Sequence, residues 1–307
     1  MKKMLPLAAG LIMMLGCQRQ TGTPAADNDG MDGLLAVNDD VAPRELVKDE
    51  HTEMYGVWTG FMEVVYDNDE EFSDDDYRKK LSIKIKRIED DVVYGKSITA
   101  GHARNLEGTY KTESDIIVVK LNEPGTNKYD GIFELKMVND SLKGTFKPFK
   151  KNEGISSVKN VALVRAEFKY DPKVMLTEEE IIDYTNPKIE KWTVKNKSGE
   201  TFTRSRETFR VSSEEIMSIN SSTTKLTESQ LKNLRKIDLE ILRYTIYARH
   251  GLTFKKSYYR YFFESTDWYV PISDNVDADL TKIEKENIAL LQRMEKYAED
   301  HYDYFGR

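Results

Sequence analysis

The sequence predicts an α+β protein, an eight-stranded antiparallel β-barrel followed by a small C-terminal helical module. Three observations predict it. Between residues 51 and 170, apolar and polar side chains alternate with period two in short runs separated by Asn, Asp, Ser and Glu. From residue 226 onward apolar residues recur at helical spacing behind capping signals. Seventeen Tyr and twelve Phe in 307 residues supply the bulk of packed cores and argue against a disordered chain. This length suffices for two ordinary domains. A formal charge of −7 favours solubility and argues against a nucleic-acid binder, which needs a basic face.

The first 17 residues read as an export signal. Lys2 and Lys3 form a basic start, and Leu5 to Leu15 form an apolar run. That run is about half of the roughly 20 residues a membrane-spanning helix requires. Met14-Leu15-Gly16-Cys17 follows and resembles the lipobox of bacterial lipoproteins. The resemblance implies cleavage before Cys17, acylation of that cysteine, and attachment to a membrane on its extracytoplasmic side. Cys17 is the only cysteine, so no intramolecular disulfide can form, and acylation removes an otherwise exposed thiol. Two or more acyl chains give stable attachment where one gives only marginal binding. Gln18, in place of an acid after the cysteine, favours the outer membrane over the cell membrane by resemblance to the sorting rule of enteric bacteria. Residues 18–50 are mostly small and polar and read as a flexible tether with an end-to-end distance of about 30 Å.

The barrel runs over residues 51–170. Tyr55 to Tyr66 opens it; Leu81, Ile83 and Ile85 alternate with Ser82, Lys84 and Lys86 in the next strand. After a turn at Glu89-Asp90-Asp91 come Val92 to Thr99, then Asn105 to Thr112 meeting Ile116 to Leu121 across Glu113-Ser114-Asp115. Gly131 to Val138 meets Leu142 to Phe149 across Asn139-Asp140-Ser141, and Val158 to Phe168 closes the set. Closure removes exposed edges, which favours a barrel over a β-sandwich. The strand glycines Gly95, Gly108, Gly131 and Gly144 mark bends of a tightly curved sheet. Gly56-Val57-Trp58 on the first strand and Arg165 on the last resemble the Gly-x-Trp and stacked Arg of lipocalin-type barrels. That resemblance implies closure at Trp58 and Arg165, and an interior either filled by side chains or holding a small apolar ligand. The run Asp67 to Asp76 is rich in acids, but Phe72 stands where a Ca²⁺-binding loop needs its turn glycine; a solvated loop is expected.

Residues 171–225 read as a connector. Leu176 to Ile182 suggests a short helix capped by Thr177 and ended at Asn186-Pro187. Trp192 to Val194 and Thr201 to Phe209 suggest a hairpin, Ser212 to Ile219 another helical turn, and Asn220 to Thr224 a linker.

The helical module follows at 226–297, with a tail at 298–307. Thr227 and Gln230 form a capping box, with Leu226 and Leu231 as its staple. Asp238 is expected to cap a helix bearing Leu239, Leu242, Ile246 and either Ala248 or Arg249 at helical spacing. Arg249, His250 and Gly251 form its basic last turn and C′ glycine. Tyr258, Tyr261 and Phe262 suggest an aromatic helix. Asp279 is expected to cap a last helix with Leu280, Ile283, Asn287, Leu290, Met294 and Tyr297 in one stripe. Ile246-Tyr247-Ala248-Arg249-His250-Gly251, Phe254, Tyr261-Phe262, Trp268-Tyr269-x-Pro271 and Asn287-Ile288 together resemble the YARHG domain, a small bacterial extracellular module. The resemblance implies a helical fold and an extracytoplasmic setting, without a mechanism. Tyr244-Thr245 departs from the Asn-Glu common in that family.

For function, the four histidines at 51, 102, 250 and 301 lack metal-ligand spacing, and neither a phosphate loop nor a nucleophile elbow is present. The expectation is a non-enzyme without cofactor or metal, anchored to a membrane through Cys17. Its module would contact peptidoglycan or an envelope protein through Tyr247, Arg249, His250, Tyr261, Trp268 and Tyr269. A carrier of a small apolar ligand is the alternative. Within the module, Arg249 is expected to pair with Glu284, and Asn287 to hold carbonyls of the Gly251 turn. The bland reading makes these residues, and the aromatics, structural.

Overall fold

A computed structural model describes residues 51–65, 78–150, 158–177 and 181–302. The export signal with Cys17, the tether, the acidic run 67–76 and the end of the tail lie outside the described residues.

Eight antiparallel strands close into a barrel in sequence order: β1 (Gly56–Val64), β2 (Arg78–Glu89), β3 (Val92–Thr99), β4 (His102–Glu113), β5 (Ile116–Asn122), β6 (Gly131–Val138), β7 (Ser141–Pro148) and β8 (Lys159–Ala166). β8 returns to β1 with Trp58 opposite Arg165. Period two places Trp58, Leu81, Ile83, Val93, Leu106, Val119, Phe133, Leu135 and Leu163 inside, all nearly fully buried. At Gly108 and Gly144 an ideal Cβ would lie 1.8 and 1.9 Å from a carbonyl oxygen of the adjacent strand, so only glycine permits that curvature.

The two ends of the barrel differ. At one end tight turns join β2–β3, β4–β5 and β6–β7; Asp90, Asp91, Ser114, Asp115 and Asn139 adopt positive φ. This is the mirror-image turn geometry that matches strand twist. A short 3₁₀ turn, Thr52–Met54, seals this end by burying Met54. The Trp58 indole N–H donates to Met54 O at 2.9 Å, and the Arg165 guanidinium lies 4.3 Å above the Trp58 ring. Arg165 also donates to Tyr55 O, Glu53 O and Asp140 Oδ1. At the other end one tight turn, Ala100-Gly101, accompanies the longer β1–β2, β5–β6 and β7–β8 connections.

After β8 the chain forms a hairpin of β9 (Ile182–Lys195) and β10 (Thr201–Val211). Of the segment expected to form a helix over 176–182, residues 178–180 lie outside the described residues, and Ile182 opens β9. Ile181 is drawn into this pairing, its N–H donating to Ser212 Oγ and its carbonyl accepting from Ser212 N–H. Asn186-Pro187 does not end the element; it falls where the register shifts between Asp183↔Arg210 and Lys188↔Thr208. Proline has no N–H to offer a ladder, and a bulge asks for none.

The helical module consists of α1 (Glu228–Leu231), α2 (Lys236–Arg249), α3 (Ser257–Glu264) and α4 (Lys282–His301), preceded by a 3₁₀ turn at Glu214–Ser218. Its core joins Leu231, Leu242, Ile246, Phe254, Phe263, Tyr269 and Leu291 to Leu176, Ile181 and Ile216 from the expected connector. The capping box and staple at Thr227 form as the sequence suggests. Asp238 is not a cap residue: Arg235 holds that place. The Asp238 carboxylate, one turn in, accepts from the N–H groups of Arg235 and Ser213 and from the Ser213 hydroxyl. Thr281, not Asp279, caps α4, because Glu284 three residues on completes a reciprocal capping box. The buried stripe of α4 keeps Asn287 and Met294 of the expected one but takes Glu284, Ile288, Leu291 and Ala298 in place of Ile283, Leu290 and Tyr297, the last 42 % exposed. Polar Glu284 occupies a core position that hydrophobicity alone assigns to Ile283.

Candidate functional site

The motif residues gather where α2 ends. Its end is a Schellman arrangement: Gly251 N–H donates to Ala248 O at 2.9 Å and Leu252 N–H to Tyr247 O at 3.1 Å, with Gly251 at φ +76°. A Cβ on Gly251 would stand 2.5 Å from Ile272 Cγ1 and 2.9 Å from Val270 O, so the glycine serves both turn and packing.

Arg249, 3 % exposed, turns back to the chain leaving the barrel. Its Nε and Nη2 donate to Val174 O at 2.9 and 2.6 Å, and Nη1 donates to Ser222 Oγ at 2.9 Å. Burial pulls its pKa down to about 10, against the opposing pull of Glu284. The expected hydrogen-bonded pairing with Glu284 falls instead to the next residue: His250 Nε2 lies 2.9 Å from Glu284 Oε2. The His250 ring stacks on Tyr170 at 4.2 Å, and the Tyr170 hydroxyl donates to Glu284 Oε1 at 3.0 Å. Burial and the Glu284 charge push Tyr170 up to about 12. Glu284 itself is fully buried; burial would raise its pKa, but hydrogen bonds from His250, the Thr281 N–H and Ser222 outweigh it and bring it to about 2.

Asn287 does not hold the Gly251 turn. It holds the segment read as a linker: Nδ2 donates to Ser221 O at 2.8 Å and Thr224 O at 2.7 Å, and Oδ1 accepts from Leu226 N–H at 2.9 Å. That segment is therefore a built turn, with Ser221 and Ser222 both buried. Tyr170, Val174, Ser221 and Ser222 complete the site and were not singled out in sequence. Isolated serines and a backbone carbonyl carry no pattern, although Tyr170 directly after the barrel is a usable signal.

The aromatic candidates divide by exposure. Tyr269 is buried, its hydroxyl donating to Leu252 O at 2.7 Å, and it packs with Phe254 and Phe263. Tyr247 and Trp268 are half-buried, and the Trp268 indole N–H is enclosed without an acceptor among the described residues. Tyr261 is 38 % exposed. Of the six residues expected to contact a partner, Arg249, His250 and Tyr269 thus lie in the interior, because their polar atoms bond to the chain itself. Trp58 and Arg165 meet at the closed end of the barrel.

The module sits at the other end. Lys80, 7 % exposed, donates through its backbone N–H to Glu264 Oε2 at 3.1 Å and through Nζ to Thr266 O at 3.2 Å. Gly101 N–H donates to Thr253 Oγ1 at 3.0 Å, and Ala103 N–H to Asp274 Oδ2 at 3.2 Å. Burial raises Glu264 to about 7 despite the nearby Lys80 and Arg260. Between barrel mouth and module lies a cavity of about 380 Å³.

Among the described residues no three His, Cys, Asp or Glu side chains are grouped as metal ligands, and no helix is long and apolar enough to cross a membrane. Residues 214–296 match the family model of the YARHG domain. No curated protein and no solved structure matches the chain.

Proposed function

We propose that this chain is a lipid-anchored cell-envelope protein that acts by binding rather than catalysis, with its YARHG module as the docking element. The observation that carries the reading is the fate of the motif's polar residues in the matched module. His250 is the side chain best suited to proton transfer near neutrality, yet it is 5 % exposed, bonded to Glu284 and stacked on Tyr170. Arg249 is bonded to a backbone carbonyl and two serines. These groups hold a scaffold together; the surface they support, including Tyr261, is what a partner meets. The lipobox-like Met14-Leu15-Gly16-Cys17 supports anchoring outside the cytoplasm.

The test is co-sedimentation of residues 18–307 with purified peptidoglycan sacculi. Saturable pelleting that Tyr261→Ala weakens several-fold supports wall docking through the module. No pelleting at any concentration removes peptidoglycan as the partner.

A second reading, a barrel that carries a small ligand, is favoured by the cavity at the barrel mouth. Its volume is at the lower end of the roughly 300–1,000 Å³ typical of small-molecule sites.

A further inference from the structure

The β9–β10 hairpin is fixed at its base and exposed towards its tip. At the base Asp183 is fully buried and accepts from Arg210 Nη2 at 2.6 Å, while Arg235 Nη1 donates to Val211 O at 2.9 Å. Trp192 lies ten residues beyond Ile182, about 33 Å along a strand of ordinary rise. Every residue from Lys188 to Glu207 is exposed except Val194, which is half-buried. A two-stranded ribbon with neither face packed is marginal in water, yet this tip is built. Asn196 N–H donates to Glu200 O at 2.9 Å and Asn196 Nδ2 to Glu200 Oε2 at 2.7 Å. The N–H groups of Ser198 and Glu200 donate to Asn196 Oδ1, and Gly199 takes φ +84°.

Register gives the arm two unlike faces. Trp192 stands opposite Arg204 and Val194 opposite Phe202, so alternation puts Trp192, Val194 and Phe202 on one face near the tip, with Arg204 and Arg206 behind them. The other face carries Lys191, Thr193, Lys195, Thr201 and Thr203. Trp192 is 44 % and Phe202 39 % exposed, and the Arg204 guanidinium lies 5.4 Å from the Phe202 ring. On a chain of net charge −7, residues 191–206 hold five basic side chains and one acid. Among the described residues Lys191, Lys195, Lys197, Arg204 and Arg206 make no ion pair. The one acid, Glu200, is bonded to Asn196; Glu190, just outside, pairs with Lys188 at 3.5 Å, and Glu207 stands opposite Ile189 on the lysine face. Two acid-rich runs outside the described residues attach elsewhere: 178–180 adjoins the base of the arm, and 66–77 joins β1 to β2.

We propose that the tip of this arm docks on an anionic phospholipid surface, with Trp192, Val194 and Phe202 at headgroup depth and the five basic side chains among the lipid phosphates. Aromatic rings flanked by Lys and Arg suit the membrane–water interface, where the rings leave water and the cations meet a negative surface. The depth is limited, because both outer edges of a two-stranded ribbon present N–H and C=O groups that hydrocarbon cannot satisfy. A glycan partner would instead call for amides and carboxylates aimed at its hydroxyls, and at this tip Asn196 and Glu200 are bonded to each other. The inference goes beyond docking through the helical module and needs no acyl chain on Cys17.

The experiment is co-sedimentation of residues 18–307, which lack Cys17, with vesicles of phosphatidylcholine alone or mixed equally with phosphatidylglycerol. Saturable binding to the mixed vesicles is expected, at least about tenfold tighter than to phosphatidylcholine and falling as salt is added. Trp192→Ala with Phe202→Ala, and separately Lys195→Glu with Arg204→Glu, are each expected to weaken it at least about tenfold while keeping native circular dichroism. Trp192→Phe is expected to keep binding but to abolish the blue shift of tryptophan emission on the vesicles, since Trp58 is buried in the barrel and Trp268 half-buried in the module. No binding to the mixed vesicles overturns the inference, and so does binding indifferent to both pairs of substitutions, which places lipid contact elsewhere. Capture by peptidoglycan sacculi and not by vesicles, lost in Trp192→Ala with Phe202→Ala, overturns it in favour of the wall. Vesicle binding that appears only with Asp74→Asn, Asp75→Asn and Asp76→Asn overturns it in favour of the chain's own acidic run as the occupant of the arm.

Discussion

The barrel and the helical module build cores of similar completeness by opposite means. The barrel interior is a filled set of alternating apolar side chains, in which Ser97 and Glu123 are exceptions near the mouth. The module buries Asp238, Arg249, His250, Glu284 and Asn287 among its aromatics, each bonded to named partners. A sheet meets its backbone hydrogen bonds through the ladder and leaves its interior free to be oily. Short helices joined by long irregular segments leave N–H and C=O groups that only side chains can satisfy. The difference teaches where each region tolerates change: the barrel should accept shape-preserving apolar swaps, and the module should refuse swaps that preserve shape and lose polarity.

The largest expected effect tests that contrast directly. Asn287→Leu keeps the volume but strands Leu226 N–H, Ser221 O and Thr224 O, at about 1–3 kcal/mol for each unsatisfied group, so a loss of at least about 3 kcal/mol is expected in urea unfolding. Leu135→Met in the barrel core is expected to cost less than about 1.5 kcal/mol. Equal losses would break the comparison.

A smaller effect sharpens it through pH, because two carboxylates of the module titrate in opposite directions. Glu264, raised to about 7 by burial, contributes stability fully present below its unfolded value of 4.5 and lost as pH rises through about 7. Glu284, lowered to about 2, contributes stability present above 4.5 and lost as pH falls towards 2. Thermal melts of Glu264→Gln should therefore lose less stability than wild type between pH 4.5 and 8. Glu284→Gln should flatten the acid side. Slopes identical to wild type would remove both carboxylates from the account.

The smallest effects concern turns. Asp115 sits at φ 65° in the β4–β5 turn, where Asp115→Gly is expected to stabilise by under about 1 kcal/mol. Gly251→Ala has a similar φ but meets Ile272 and Val270, and is expected to cost more than about 1 kcal/mol. Differential scanning calorimetry reads both, and a gain at Gly251 would show that its packing is looser than described.

Much of this was legible in the residues. The eight strands, most of their turns and the Thr227 capping box follow from local patterns that depend on near neighbours. Thr281-x-x-Glu284 was equally legible as a cap but lost to the more familiar Asp279. The end of the helix expected at 176–182 went to a strand because Ile181 and Ile182 are equally apolar on a helix or a strand, and pairing with Ser212 and Val211 decided. The polar struts could not be read: Arg249 bonds to a carbonyl 75 residues away, and Asn287 to carbonyls 66 and 63 away.

By itself the sequence determined the barrel strands and the helical module, since period and turn chemistry are short-range properties; closure at Trp58 and Arg165 was implied by a family resemblance, because register between the first and last strands is long-range. Only the tertiary structure decided that His250 and not Arg249 bonds Glu284, and that the supposed linker is a buried turn. Those outcomes depend on which distant backbone groups remain unsatisfied once both cores have formed, and no local pattern encodes that.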